Sequence, residues 1–270
     1  MINLEISIII KVLIAGFIFF AAIYGFFIEP NMLTVTKYSV KDVQLKGIKI
    51  VMAGDFHIKP HQQKRLKKIV NLINEQNADL VLSVGDYVSG HNLKMTMPIE
   101  NIASELKKVK SKYGFYTVLG NHDSCLSEKT ISESLVKNGI KVLNNSNSKV
   151  NINGKEIYIA GVEDLTTGTP YIYKAIKDAK PPIVLLSHSP DVFSEVPKGI
   201  NLTLTGHVHG GQVRLPFVGA LIVPSVYGNK YSQGLIVEKD RKMIVTKGIG
   251  TSIIPVRFNC IPEIVVIEFE

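Results

Sequence analysis

Residues 49–57 read KIVMAGDFH. The apolar run has the composition of a buried strand. It stops at a glycine, followed at once by Asp55 and, one residue on, His57. The same grammar recurs four more times. DLVLSVG leads to Asp86, FYTVLG to Asn121, His122 and Asp123, PIVLLS to His188, and NLTLTG to His207, Val208 and His209. In a sheet with parallel strands, residues just past the carboxyl ends of the strands converge on one crevice. The five runs therefore point to a sheet protein in which Asp55, His57, Asp86, Asn121, His188, His207 and His209 become neighbours.

The stretches between these runs supply helices first and strands later. Leu66, Ile69, Val70 and Ile73 fall at helical spacing, so 61–76 reads as an amphipathic helix with its Lys and Arg residues outside. Ile99, Ile102, Ala103, Leu106 and Val109 mark a second helix. Thr130 with Glu133 forms a capping-box pattern ahead of Leu135 and Val136, and Gly139 suits the helix end. Asn153-Gly154 between alternating apolar residues is a hairpin signal. A further helix is expected near 171–179, and QGLIVEK, KMIVTKG and EIVVIEFE make the C-terminal part strand-rich. The class is mixed α/β (α+β), with sheets covered by helices and both parallel and antiparallel pairs.

The N-terminus follows other rules. From Val12 to Ile28 there is no charge, and Ile6–Ile10 extend the apolar run beyond Lys11. A bilayer-spanning helix needs ~20 mostly apolar residues, and Lys11 can snorkel. A cleaved signal peptide would want a basic start and a small-x-small cleavage site; Lys11 stands alone and FFAAIYG matches poorly. Aromatics on every side argue against a buried core helix. The reading is an uncleaved membrane anchor over 1–29, a linker over 30–45 and a catalytic domain over 46–270. Lys37, Lys41 and Lys46 after the span would hold the domain in the cytoplasm, but large domains translocate largely regardless of such charges. A short tail ending in one Lys suits the extracytoplasmic face, which is the expectation adopted.

Residues 1–28 carry one Lys and one Glu, so the whole net charge of +8 belongs to the rest of the chain. A basic domain tethered to a membrane is either simply soluble and cationic or drawn to anionic lipid, wall polymer or phosphate-bearing substrates. Two cysteines, Cys125 and Cys260, make no disulfide framework.

The seven converging side chains are two carboxylates, one amide and four imidazoles. They exceed the tetrahedral demand of a structural zinc site and include no thiolate. The number suits two divalent metals sharing one carboxylate, the arrangement that clamps the attacking and leaving oxygens of a phosphoryl displacement. Nitrogen and oxygen donors admit Mn, Fe or Zn, and also Ni.

At these residues the sequence resembles the calcineurin-like metallophosphoesterase family, whose blocks D-x-H, G-D, G-N-H-D/E, a lone His and G-H-x-H occur here in order as GDFH, GD, GNHD, SH and GHVHGG. The resemblance runs from about residue 47 to the chain end. GGQ after the last histidine pair and the tail GIGTSIIPVRFNCIPEIVVIE look like the membrane-associated or exported bacterial branch. It implies a four-layer αββα sandwich of two mixed sheets. It also implies that Asp55, His57 and His209 hold one metal, that Asn121, His188 and His207 hold the other, and that Asp86 bridges them. His122 would be catalytic, stabilising or protonating the leaving oxygen, and the nucleophile would be a metal-bridging hydroxide. One departure narrows the branch. Serine/threonine protein phosphatases of the superfamily carry GDYVDRG at the second block, where this chain has GDYVSGH with Ser89 and Gly90. That leaves the partner of His122 open.

Other residues have plainer readings. His61 and His91 read as solvated loop histidines, and Asp123 as a group that orients a ligand or caps a helix. Arg257 reads equally as a phosphate-binding fork or a loop anchor, and Gln212 as pocket lining or a backbone partner. Cys125 carries no mark of a reactive thiolate. Lys64, Arg65, Lys67 and Lys68 form a solvated helix face without interleaved aromatics, so no specific nucleic acid is expected. The function expected is a monomeric, membrane-anchored phosphodiesterase or pyrophosphohydrolase acting on a phosphate ester, with phospholipid or lipid-linked phosphate as the narrower version. The alternatives are a nuclease or nucleotide phosphodiesterase on the same core, and a non-enzymatic metal-binding scaffold.

Overall fold

The computed structural model describes residues 2–90 and 92–270, so His91 lies outside the described residues. Helix α1 (Ile2–Ile23) continues through a wider turn at Tyr24–Ile28, and the first strand is β1 (Thr34–Val40). Then strands and helices alternate: β2 (Lys49–Ala53), α2 (Gln63–Glu75), β3 (Leu80–Ser83), α3 (Ile99–Leu106), β4 (Phe115–Thr117), α4 (Asn121–Lys137) and β5 (Ile140–Val142). The second half holds β6 (Ser146–Ile152), β7 (Lys155–Gly161), α5 (Ile172–Ala175), β8 (Ile183–Leu186) and β9 (Leu202–Thr205). It closes with the short pair β10 (Arg214–Leu215) and β11 (Gly219–Ala220), then β12 (Gly234–Glu238), β13 (Arg241–Val245) and β14 (Glu263–Phe269).

Two six-stranded sheets result, in the orders β1-β14-β2-β3-β4-β5 and β12-β13-β9-β8-β7-β6. Both are mixed. Strands β2 to β5 run parallel with β14 antiparallel beside them. Strands β7, β8, β9 and β13 run parallel with β6 and β12 antiparallel at the edges.

The strand pattern explains the stacking. Along β2, Ile50 and Met52 point between the sheets, where they meet Ile157, Ile159, Val184 and Leu204. Val51 and Ala53 point the other way, onto Leu66, Ile69 and Ile73 of α2 and Ile102 and Leu106 of α3. This two-residue alternation, buried on both faces, is what a central strand needs. On the far side Ile183 and Leu185 of β8 pack under Ile172, Phe193 and Val196. The four layers expected are therefore present, although the second outer layer is thin. The helix expected over 171–179 is only the single turn α5.

Two expectations are corrected. The stretch 30–45 is not a plain linker, because β1 lies within it and pairs in parallel with β14, Thr34 opposite Glu263 through Val40 opposite Phe269. The capping pattern at Thr130 falls inside a helix that begins at Asn121. Extended backbone at Ser127 divides α4 in two, and the Ser127 hydroxyl accepts from the Thr130 N–H at 3.3 Å, so Ser127 caps the second part. The hairpin at Asn153-Gly154 joins β6 to β7 with both residues at positive φ, and Gly139 ends α4 at φ +84°.

Candidate metal centre

Each donor leaves its strand in the same way. In the Asp55-Phe56-His57 stretch, Phe56 drives into the core and stacks on Tyr87 at 5.0 Å, which turns its two neighbours toward the crevice. Backbone bonds Asp55 N–H to Gly85 O (2.9 Å) and His57 N–H to Asp86 O (3.0 Å) zip this loop to the next. Val208 plays the Phe56 role between His207 and His209. Close approach decides residue 120. A Cβ on Gly120 would stand 2.2 Å from Asp86 Oδ1 and 2.7 Å from His188 Cε1, so only glycine lets α4 start there.

The structure brings all seven predicted side chains together. His57 Nε2 faces His209 Nε2 at 3.0 Å, and His209 Nε2 lies 3.8 Å from Asp55 Oδ1. Asn121 Oδ1 lies 3.1 Å from His188 Nε2 and 3.0 Å from His207 Nδ1, and those two nitrogens are 3.2 Å apart. Asp86 Oδ2 sits between the two sets, 3.4 Å from His57 Nε2 and 3.3 Å from His188 Nε2. Asp55, His57, Asp86, His188 and His209 are buried, while Asn121, His122 and His207 form the side open to solvent.

Five of the seven, Asp55, His57, Asp86, His207 and His209, have positive φ between 42° and 69°. Such backbone costs of order 1–3 kcal/mol per residue and persists where the surroundings over-determine it. The sequence carries no direct mark of this strain.

The electrostatics describe a cation site. Burial pushes Asp55 up to about 7. It pushes Asp123 up to about 7 as well, with the Asp86 carboxylate adding to the rise. Burial drives His57 down to about 3 and His207 to about 4, and lowers His209 well below the usual imidazole value. His188 goes the other way. Burial opposes its protonation, but the charge and hydrogen bond of Asp86 outweigh burial and hold it up at about 10. Asp86 itself, despite desolvation, is held well below the carboxylate range by His188. The imidazoles of His57 and His209, kept neutral by burial with their Nε2 atoms 3.0 Å apart beside buried carboxylates, fit divalent cations. Asp55, His57 and His209 form one group of ligand-type atoms, and Asp86 shares groups with both His57 and His188.

The surrounding residues resolve the readings left open. Asp123 is fully buried and its carboxylate accepts from the N–H groups of Asp86 (2.7 Å), Tyr87 (2.8 Å), Val88 (3.2 Å) and Gly120 (3.1 Å). It caps α4 and aims Asp86 at once. The Arg257 guanidinium is fully buried and donates to the carbonyls of Lys247, Gly250 and Cys260, so it anchors the C-terminal loop instead of facing substrate. Gln212 bonds both ways with the Ser252 backbone, at 3.0 and 2.9 Å, and also lines the crevice. His61 is exposed in a turn, Cys125 is exposed and Cys260 is buried, both thiols free.

His122 stands at the mouth. Its N–H donates to Asp86 Oδ1 (2.9 Å), its ring meets His57 edge-on at 4.7 Å, and its Nε2 is 3.4 Å from Ser252 Oγ. Ser252 was not singled out in the sequence. Its signal is its place in the stretch GIGTS, two residues after Gly250 and not directly after a strand. The mouth opens into a cavity of about 520 Å³ lined on one side by His122, His207 and His209 and on the other by Leu221, Ile222 and Ile254.

A family model described as calcineurin-like phosphoesterase matches residues 48–211. The chain is 30% identical over 253 residues to the uncharacterized metallophosphoesterase YkuE of Bacillus subtilis (strain 168), covering 90% of this chain and 87% of that one. It is 32% identical over 255 residues to the phosphodiesterase YaeI of Escherichia coli (strain K12), covering 91% of each. Among solved structures, the 5'-nucleotidase precursor from Thermus thermophilus aligns with a TM-score of 0.50 at 15% identity, covering 75% of this chain and 49% of that chain; the likeness is one of fold.

Proposed function

The chain belongs to the calcineurin-like phosphoesterase family and is a metal-dependent phosphoester hydrolase; from that premise we propose that it is a membrane-anchored phosphodiesterase with two metal positions joined at Asp86. The observation that carries this is the place of Asp86 Oδ2, 3.4 Å from His57 Nε2 and 3.3 Å from His188 Nε2. On this reading Asp55, His57 and His209 hold one ion, Asn121, His188 and His207 hold the other, and Asp86 belongs to both. When bound, the two cations supply Lewis-acid charge to phosphoryl oxygens and lower the pKa of water in the site. Asp123 fixes the loop that presents Asp86. His122, held by Asp86 and near Ser252, delivers a proton to the leaving oxygen or stabilises its charge.

The lining of the cavity supports a diester. A terminal phosphomonoester is a dianion and calls for a cationic fork in addition to the metals. Among the described residues lining the cavity none is Lys or Arg, and Arg257 is spent on carbonyls. Apolar lining next to the metal positions suits an ester with an apolar substituent, so phospholipid or lipid-linked phosphate is the substrate class we favour. The anchor is the N-terminal helix, the one candidate span among the described residues, over Glu5–Asn31 with mean hydropathy 2.7.

The test uses the full chain in detergent, loaded with Mn²⁺, on bis-p-nitrophenyl phosphate and on p-nitrophenyl phosphate. The diester is expected to be cleaved faster. His122→Ala is expected to lose roughly 10²–10⁴-fold in kcat while keeping its metal. Preference for the monoester, or full activity in His122→Ala, would overturn the assignment.

A further inference from the structure

The cavity is rimmed by two loops, each of which carries apolar side chains left almost wholly exposed. Ile253 is 100% exposed and Phe217 is 109% exposed, with Ile222 at 79%. Ile253 and Phe217 also have positive φ, 62° and 65°. For a β-branched residue that is a genuine outlier. Folding therefore gains nothing from burying these side chains, and it bears backbone strain where they project.

Both loops are held firmly. Gln212 clasps the Ser252 backbone on one side of Ile253, and Arg257 pins the chain on the other. The 252–258 loop also touches the N-terminal helix. The Arg257 N–H donates to Gly25 O at 2.9 Å, and a Cβ on Gly25 would stand 3.3 Å from both Arg257 O and Val256 Cγ2. The buried Glu29 carboxylate accepts from the N–H groups of Asn259 and Cys260.

This contact fixes a height. A span needs ~20 apolar residues, and in the apolar run from Ile6 to Ile28 that length is reached between Gly25 and Ile28. The loop that packs on Gly25 therefore lies at the level where the helix leaves the hydrocarbon. Ile253 is three residues from the Val256 contact. Exposed apolar patches of this kind, rimmed by polar surface, mark interaction sites. Continuity with the helix names the occupant here.

We propose that the loops carrying Phe217, Ile222 and Ile253 form a second bilayer contact, which lays the mouth of the metal centre onto the lipid surface. Substrate then enters from the membrane, its apolar part leading along Leu221, Ile222 and Ile254 and its phosphate reaching His122. This rests on the anchor assignment. It does not require the phosphodiester assignment.

The chain has no tryptophan. Ile253→Trp and Phe217→Trp each install a lone tryptophan, selectively excited above the tyrosine band, in the full chain. Phe17→Trp, within the span, reports the anchor. Val43→Trp, between β1 and β2 and 84% exposed, reports the opposite end of the domain. The variants are reconstituted into phosphatidylcholine–phosphatidylglycerol vesicles with and without brominated acyl chains. Trp at 253 and at 217 is expected to emit to the blue and lose most of its intensity to the brominated chains, as Trp at 17 does, while Trp at 43 does not change. Quenching at 17 without quenching at 253 and 217 would overturn the proposal. So would a blue shift at 253 that ignores bromine and grows with protein density, which would make the rim an interface between copies. No quenching at 17 would remove the anchor, and the proposal with it.

Discussion

Single residues decide whether this site can work. Asp86 stands between the two groups of side chains, Asp123 accepts from its N–H, and only glycine at 120 leaves room for its carboxylate. The donors were legible in the sequence because each follows a buried strand directly, so topology alone gathers them. The positive φ of five of them and the role of Ser252 were not legible, since both arise from packing between distant loops. Protonation gives a prediction at this scale. Ligands bind metal as carboxylate and neutral imidazole. In the metal-free site His188 holds its proton up to about 10 and Asp55 is half protonated at about 7. Metal uptake at pH 7 must therefore expel protons, and apparent affinity must rise with pH across the window from about 7 to about 10. Titration calorimetry of Mn²⁺ binding in buffers of different ionisation enthalpy reads this directly. Heats that are independent of buffer would contradict it.

Elements set the accuracy with which those residues are aimed. Strands β2, β3, β8 and β9 were readable as apolar runs because a strand buried on both faces is apolar throughout. Strand β1 was not, because TVTKYSV alternates with polar residues and its partner β14 lies more than two hundred residues away in sequence. Helix α4 misled in the opposite direction: a good capping pattern at Thr130 lay within a helix already started at Asn121. That start is held by Asp123, which ties α4 to the loop after β3 through three N–H groups and caps the helix through a fourth, that of Gly120. An amide accepts through one oxygen only, so Asp123→Asn is expected to strand some of those donors. The cost is about 1–3 kcal/mol, measurable by urea denaturation, together with weaker metal retention after dialysis. Stability and metal content equal to the wild type would show that the tie does not aim Asp86.

Across the molecule, the N-terminal helix and the domain are less separate than a helix, a linker and a globule. Strand β1 covers the edge of β14, a strand buried almost along its length. Exposed apolar edges of that kind drive association. A chain beginning at residue 46 is therefore expected to aggregate, while one beginning at residue 24, which keeps β1 and Glu29, stays monomeric by size-exclusion chromatography. Equal behaviour of the two would mean that β1 is dispensable. The contact between Gly25 and the loop at Val256 and Arg257 was invisible in the sequence, because nothing in a loop's composition tells that it will meet a helix two hundred residues earlier.

Two metal positions that share Asp86 would bring the bound ions within about 4 Å of each other. The most direct measurement is the manganese content and electron paramagnetic resonance spectrum of the Mn²⁺-loaded full chain, beside Asp86→Asn. Two manganese ions per chain with an exchange-coupled spectrum, and loss of that coupling in Asp86→Asn, is the predicted result. A single uncoupled manganese, or coupling that survives without the Asp86 carboxylate, would contradict it.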